Sequence, residues 1–326
     1  MKIFNNKIIL VTGGTGSFGK SFVKKIISKS KPKKIIIFSR DELKQWIMQN
    51  DYKNTKNIKF IIGDVRNLES VKEACKNVDY IIHAAATKIV PTAEINPEEC
   101  IYTNINGAMN IIKAANLNNV KKVIALSTDK ACNPVNLYGA TKLASDKLFI
   151  AANKKKTDRT IFSVVRYGNV MGSRGSVIPF FISLNKKNFF PITNTEMTRF
   201  MISLDQAVDF VNSSLNIMRG GEIFVKKIPS MKIIDVAKAI DHKKNIKIVG
   251  MRDGEKVHEQ MITPEDSKHT LEFKDFFIIY SESKYRKKFG GKKVKSDFSY
   301  DSKNNKEWMS TKQLKNFIKS KNYNFE

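Results

Sequence analysis

The sequence predicts an α/β protein with a doubly wound parallel sheet and a smaller C-terminal part interleaved with it. Three observations predict this. Over the first 170 or so of 326 residues, short apolar runs alternate with helix-patterned segments at the spacing of βαβ units. The first run leads straight into a glycine turn, Thr12-Gly13-Gly14-Thr15-Gly16-Ser17-Phe18-Gly19. Beyond about residue 170 short strands and short helices mix less regularly. The expected division is 1–170 and 171–326, with later segments contributing to the first part and a polar stretch closing the second.

Residues 7–11 (Lys7-Ile8-Ile9-Leu10-Val11) have a buried-strand pattern, and residues 21–28 read as a helix. Strand, glycine turn and helix in succession give G-x-G-x-x-G the context of a dinucleotide fingerprint in a Rossmann-type sheet. The glycines permit a tight turn and close approach of a pyrophosphate, which the helix N-terminus then faces. Gly13, Thr15, Gly16, Ser17, Phe18 and Gly19 are the contacts expected there.

A second strand, 34–38, ends in Ser39-Arg40-Asp41-Glu42, beside the expected adenosine ribose. A carboxylate here suits the 2′-hydroxyl of NAD, and an arginine suits a 2′-phosphate. Ser39 and Arg40 come first, which favours NADP over NAD. Asp41 keeps NAD open, and it serves equally well as the cap of the next helix. Leu43 is counted with this cofactor set. A third strand, 58–62, ends in Gly63-Asp64-Val65-Arg66. Asp64, with Val65 beside it, either accepts from an adenine amine or caps a helix. The fourth strand, 80–86, closes on Ala84, Ala85 and Ala86, small enough for a cofactor to approach. His83 within it reads as packed core rather than catalyst.

Residues 96–118 read as one long helix carrying Asn104. A hydrophobic run, 123–126, then ends in Ser127-Thr128-Asp129-Lys130, at the carboxyl end of a strand, where open α/β sheets hold ligands. Tyr138-Gly139-Ala140-Thr141-Lys142 follows. Tyr138 and Lys142 are one helical turn apart and share a face. An ammonium near a phenol favours the phenolate, so Tyr138 is expected to have a lowered pKa and to take a proton from a sugar hydroxyl. Alone such a pair is weak evidence, because most are solvated helix neighbours. A sixth strand, 160–167, precedes a glycine-rich turn, 168–175, that is too polar to be core. Further on, 222–226 reads as a strand and 233–240 as a helix. From about residue 284 the chain is lysine-rich, polar and expected to be partly extended.

Composition narrows the function classes. The formal net charge is +27, yet only nine of the 58 basic residues are arginine. The lysines are spread along the chain, as in Lys24-Lys25, Lys154-Lys155-Lys156 and Lys243-Lys244. No nucleic-acid-binding motif accompanies them, so no nucleic-acid partner is expected; steering of an anionic substrate is. No apolar stretch approaches a membrane span, and the N-terminus enters a strand directly, so a cytoplasmic protein without a signal peptide is expected. Cys75, Cys100 and Cys132 have neither metal nor disulfide spacing, and no metal is expected. Cys132 lies two residues past Lys130, close enough for oxidation or alkylation to matter.

The quoted residues resemble the extended short-chain dehydrogenase/reductase superfamily, and more closely the inverting UDP-N-acetylglucosamine 4,6-dehydratases of pseudaminic acid biosynthesis, a sugar used on flagellins and other surface glycans. The resemblance rests on residues 12–18, 38–45, 84–94, 126–147 and 165–181, and on 220–225, 228–232 and 254–259. It covers nearly all of the chain to about residue 280. Asp129-Lys130 is its specific marker, since retaining relatives often carry Asp-Glu there. Membrane-anchored relatives share Asp-Lys but have Met in place of Tyr138. Two residues depart from the pattern: Glu196 stands where an Arg is usual, and Asp253 where a Pro is usual. Both bring acid toward a segment expected to meet an anionic nucleotide sugar.

The resemblance implies a hydride cycle on tightly bound, recycled NADP, with Lys88, Tyr138 and Lys142 also near the cofactor. Tyr138, helped by Lys142 and Thr128, removes the C4 hydroxyl proton. Lys130, neutral enough through desolvation, takes the C5 proton, and Asp129 protonates the departing C6 hydroxyl. The expected product is UDP-2-acetamido-2,6-dideoxy-β-L-arabino-hex-4-ulose. Lys88, Asn169, Val170, Arg174, Arg199, Met201 and Arg252 are the expected substrate contacts, with Glu255 and His258 toward the uridine or its ribose. Relatives assemble through helices beside the active site, some as hexamers, so a homo-oligomer is expected. The competing expectations are a retaining dehydratase or 4-epimerase, and a non-catalytic NADP-binding regulator.

Overall fold

The computed structural model describes residues 1–154, 159–184, 187–280 and 289–321. Lys155 and Lys156, and the start of the expected C-terminal polar stretch at 284–288, lie outside the described residues. The first half runs β1 (Ile8–Thr12), α1 (Ser17–Lys29), β2 (Lys34–Ser39), α2 (Glu42–Asp51), β3 (Ile58–Ile62), α3 (Leu68–Ala74) and β4 (Tyr80–His83). Next come α4 (Val90–Ile95), α5 (Pro97–Ile101), α6 (Gly107–Leu117), β5 (Lys122–Leu126), α7 (Leu137–Ala151) and β6 (Ile161–Arg166). The second half runs β7 (Asn169–Val170), α8 (Val177–Ser183), β8 (Phe189–Ile192), β9 (Thr198–Ile202), α9 (Leu204–Ile217), β10 (Glu222–Lys226), β11 (Ser230–Lys232) and α10 (Ile233–Ile240). It closes with β12 (Asn245–Ile248), β13 (Gln260–Ile262), β14 (Thr270–Glu272), β15 (Phe276–Tyr280), β16 (Lys292–Lys293), β17 (Tyr300–Asp301) and α11 (Thr311–Ser320).

The main sheet has the order β16-β14-β15-β10-β6-β5-β4-β1-β2-β3. Its β3-β2-β1-β4-β5-β6 portion is parallel and reverses direction of winding between β1 and β4, the place where doubly wound folds bind ligands. β10 adds in parallel beside β6, and β15, β14 and β16 extend that edge antiparallel. Strands from beyond residue 170 therefore complete the sheet begun before it. The central strands are buried on both faces, which is why they read as continuous Ile and Val runs without alternation. Phe22, Ile26, Phe38, Phe149, Phe162 and Phe224 fill the main core. A second core holds Met171, Phe181, Phe190, Met201, Met231 and Leu314.

Several elements differ from expectation. α1 begins at Ser17 rather than residue 21, because Gly16 in extended backbone is its cap and the turn's last residues are already helical. The fourth strand stops at His83, and Ala84 to Ala86 leave the sheet to line a cleft. The long 96–118 helix is interrupted by a wide π turn, Tyr102–Asn106, where Asn104 turns inward to donate to the Thr87 carbonyl (2.9 Å) and Thr141 Oγ1 (3.0 Å). The 168–175 turn is not all surface: β7 pairs with β9, and Met171 enters the second core. The C-terminal stretch includes α11, closed by a Ser310–Gln313 capping box and anchored by buried Leu314.

Beneath the sheet's carboxyl ends lies a buried ion pair. Asp146 Oδ2 meets Arg166 Nη2 at 3.3 Å and accepts from Ser127 Oγ at 2.7 Å, while Arg166 Nη1 donates to the Met261 carbonyl at 2.8 Å. Removing one partner of such a pair leaves the other charged and unsolvated. Asp146→Asn should therefore lower the unfolding free energy by about 3–5 kcal/mol in urea titration.

Candidate active site

The carboxyl ends of β1, β2, β4, β5 and β6 surround a cleft of about 730 Å³. Gly13, Thr15, Gly16, Ser17, Phe18 and Gly19 form one wall. Gly13 has φ +64°, and a Cβ there would sit 2.8 Å from the Ala85 nitrogen, so this close crossing admits only glycine. A Cβ on Gly19 would run into the Gly14 backbone. Gly16, the cap of α1, has no side chain to bond the first-turn N–H groups, which leaves them open to an anion. A cradle closed to side chains beside an uncapped helix N-terminus fits a dinucleotide pyrophosphate.

Ser39, Arg40, Asp41, Lys44, Asp64 and Val65 line the far end. Ser39 Oγ accepts from Thr15 Oγ1 at 3.2 Å and from Gln45 Nε2 at 3.0 Å. Asp41 caps α2 by accepting from the Lys44 amide at 2.9 Å, and it is ion-paired to the Lys44 ammonium. Those bonds hold its carboxyl below the ordinary value. Leu43 is exposed and does not line the cleft; Lys44 does. Asp64 is not a helix cap, a role taken by Asn67. Its carboxylate accepts from the Arg66 amide and Nε and lies 3.7 Å from Arg40.

At the other end, Thr128, Lys130, Tyr138 and Lys142 reach the cleft, with Asp129 fully buried beside Lys130. Asn136 caps α7 and so sets the direction from which Tyr138 and Lys142 enter. Lys142 Nζ donates to the Leu126 carbonyl at 2.7 Å, and burial lowers its pKa. Tyr138 departs from expectation. Burial pushes the phenol up to about 12, against the opposing influence of the Lys130 charge and the Thr128 hydroxyl. Lys130 departs as well. Burial acts to lower its pKa, but the carboxylates of Asp129 and Glu259 outweigh it and hold the amine above its ordinary value. Its Nζ lies 3.0 Å from Asp129 Oδ1, 3.2 Å from Glu259 Oε1 and 3.3 Å from Asn169 Oδ1. Asp129 is pushed up, chiefly by burial, and its Oδ2 is buried without a hydrogen-bond partner among the described residues. Such a cluster can move protons without water: one ammonium, two carboxylates, a phenol and a hydroxyl.

The expected substrate contacts separate into two groups. Lys88, Asn169, Val170 and Arg174 line the cleft, and Lys88 Nζ donates to the Arg174 carbonyl at 3.0 Å. Arg199, Met201, Arg252, Glu255 and His258 do not. Arg199 is buried, its guanidinium given to the carbonyls of Thr198, Lys256 and Val257. Met201 is packed in the second core, and Arg252 is paired with Glu255 on the surface. His258 Nδ1 bonds Thr198 Oγ1 at 2.8 Å. Glu196 is exposed and pairs with Lys232 at 3.2 Å, and Asp253 is exposed; neither meets the cleft. Sequence reasoning missed Glu259, one residue beyond His258. Its signals were its place at the end of the 254–259 segment that carries the resemblance and a charge at the threshold of the apolar pair Met261-Ile262. His83 is core as expected: it bonds Thr12 Oγ1 at 2.8 Å, packs on Phe149, and burial lowers it to about 3.

A family model described as polysaccharide biosynthesis protein matches residues 9–281. A Campylobacter jejuni protein named UDP-N-acetylglucosamine 4,6-dehydratase (inverting) is 54% identical, covering 97% of this chain and 98% of that protein. A Rickettsia bellii protein named UDP-glucose 4-epimerase is 46% identical, covering 93% of each. The crystal structure of Pen from Bacillus thuringiensis is 38% identical with a TM-score of 0.89, covering 97% of this chain and 99% of that one.

Cys132 is buried rather than reactive, and burial pushes its thiol up to about 11 and that of Cys75 to about 12. Cys100 is buried as well. Iodoacetamide at pH 8 should leave all three unmodified in the folded protein and label all three in denaturant, as read by intact mass.

Proposed function

The chain belongs to the polysaccharide biosynthesis protein family, with an extended short-chain dehydrogenase/reductase fold, and on that premise we propose that it is a UDP-N-acetylglucosamine 4,6-dehydratase that inverts C5. The observation that carries this reading is the Asp129–Lys130 pair, joined at 3.0 Å at the rim of the cleft that Tyr138 and Thr128 also reach. A 4-epimerase needs the tyrosine and the hydroxyl but has no use for an acid and a base at C6 and C5. The relatives named UDP-glucose 4-epimerase make that the second reading, and Asp129 with Lys130 weighs against it. A non-catalytic NADP-binding regulator has no need of any of the four side chains.

The cofactor is NADP, which when bound accepts a hydride from C4 and returns it to C6. Arg40 supports this choice over NAD: its guanidinium is exposed at the ribose end, while Asp41 is committed to Lys44. Thr128 holds the C4 hydroxyl and Tyr138 takes its proton; burial raises the phenol, and the Lys130 charge and the Thr128 hydroxyl act against that rise. The 4-ketone acidifies the C5 proton. Asp129 and Lys130 then serve as acid and base, and water leaves from C6. In the ion-paired form the two are carboxylate and ammonium. Transfer of one proton across the 3.0 Å contact yields the carboxylic acid and the amine together. A proton returns to C5 from the opposite face, giving the β-L-arabino 4-ulose, the first intermediate toward pseudaminic acid and flagellin glycosylation.

Lys88, Asn169 and Arg174 are the diphosphate contacts in this scheme, offered by the part of the chain beyond the sixth strand and the loop after β4. A cytoplasmic homo-oligomer completes the proposal. It is supported by the exposed apolar side chains Ile89, Ile95, Ile101, Tyr102 and Met109 on and beside α4 to α6.

Proton NMR of UDP-N-acetylglucosamine incubated with the protein in D2O tests the reading. A C6 methyl with L-arabino couplings and deuterium at C5 is expected. D-xylo couplings would point to a retaining dehydratase, and a C4 epimer without a methyl to an epimerase. Arg40→Ala should weaken NADP binding about tenfold or more while changing NAD binding little, measured by calorimetric titration.

A further inference from the structure

The Lys130 ammonium has three hydrogens to give and three protein acceptors around it. Asp129 comes from its own turn, Asn169 from β7, and Glu259 from the segment leading into β13. Glu259 is held in place from several sides. Arg199 Nε lies 3.7 Å from Oε1 and Lys256 Nζ 4.0 Å from Oε2, and the Glu259 amide donates to Ser302 Oγ at 2.9 Å. The segment is also strapped to the catalytic turn: Lys256 Nζ donates to the Cys132 carbonyl at 2.6 Å, and Asn136 Nδ2 to the Gly254 carbonyl at 2.8 Å. Oε2 is buried without a hydrogen-bond partner among the described residues, an arrangement that stability alone does not favour.

We propose that Glu259 is a positioning residue for the dehydration, its fixed negative charge holding Lys130 Nζ in place and strengthening that amine as the base toward C5. The proposal rests on the dehydratase reading. An N–H bond of Lys130 breaks and an O–H bond forms on Asp129. The amine lone pair takes the C5 proton, and the C5–H electron pair passes through the 4-ketone into a C5–C6 double bond. The C6–O bond breaks, and its oxygen takes the Asp129 proton and leaves as water. Glu259 stays a carboxylate throughout, so the ammonium re-forms beside a negative charge. Asp129, Arg199, Lys256 and Tyr138 are the other titratable groups around this pair, and all are unchanged in the variants below.

Glu259→Gln keeps the shape and an acceptor for Lys130 but removes the charge. C5 deuteration and methyl formation should slow about tenfold or more, with KM and bound dinucleotide unchanged, while the melting temperature falls because Lys130, Arg199 and Lys256 lose a buried counter-charge. The alkaline limb of the rate profile, where the pair loses its shared proton, should move to lower pH by about one unit or more. Glu259→Asp, which retains the charge, should keep the wild-type limb. A Glu259→Gln enzyme with wild-type rate and pH profile overturns the inference. So does an equal loss of rate in both variants without movement of the limb, which marks a merely structural role. If the wild-type protein forms no 6-deoxy product, the dehydratase reading falls and takes this inference with it.

Discussion

The structure around the cleft is organised by one requirement: a half-buried lysine ammonium, largely cut off from water, must have its hydrogens accepted by the protein. Lys130 meets it with partners from three separate parts of the chain, the turn after β5, the short strand β7 and the segment before β13. Those parts lie 39 residues or more from one another in sequence, except within the turn itself. They meet only because β7 pairs with β9 and β13 with β17 while β10 and β15 complete the main sheet. The interleaving of the two parts is thus a condition of the site. A cleanly separate second domain could not supply both Asn169 and Glu259 without fixing the interface between domains.

Much of the first half was legible because its signals are local. The glycine turn, the Ile and Val runs and the small residues after His83 each state their geometry within about ten residues. β3, β10 and α10 match the expected bounds in full. The glycine wall of the cleft was legible for the same reason. What failed depends on distance. Arg199 carried the right charge, and nothing in its neighbourhood announced that three carbonyls would absorb it. The pKa of Lys130 was expected to fall through burial. Burial does act that way, but the carboxylates of Asp129, next to it, and of Glu259, some 130 residues along, together reverse the sign. The π turn at 102–106 was invisible because Asn104 satisfies its amide largely through Thr87 and Thr141, which come near it in the folded chain.

The charged layers under the cleft are costly by themselves. Asp146 with Arg166, and Asp129 with Lys130 and Glu259, place charges where apolar side chains of similar volume would serve stability as well or better. They are tolerated because they sit against two continuous cores, so a local penalty does not become a global one. Their arrangement along α7 is economical. Tyr138 and Lys142 reach the cleft, and Asp146, one further turn on, reaches behind it to Ser127 and Arg166. One helix therefore ties the reacting end of the cleft to the network that braces the strand ends.

The basic surplus of the chain makes sense in the same frame. Most lysines are dispersed over the surface, where a long-range field is all they share. Lys88 and Arg174 are different. They lie close enough for the arginine's charge, together with burial, to lower the lysine's pKa, and the lysine ammonium is tied to the arginine's own carbonyl. Two cations held side by side at the mouth of a cleft repel one another unless an anion lies between them. The fold keeps them there through β7 and through the contact of the Arg174 amide with Ser17 Oγ at 3.3 Å, on the first residue of α1. The diphosphate of the proposed substrate would relieve that repulsion, and the same turn that presents Asn169 to Lys130 presents Arg174 to the cleft. Under the proposed function, anion binding and the proton-transfer cluster share one support, the turn that carries both Asn169 and Arg174.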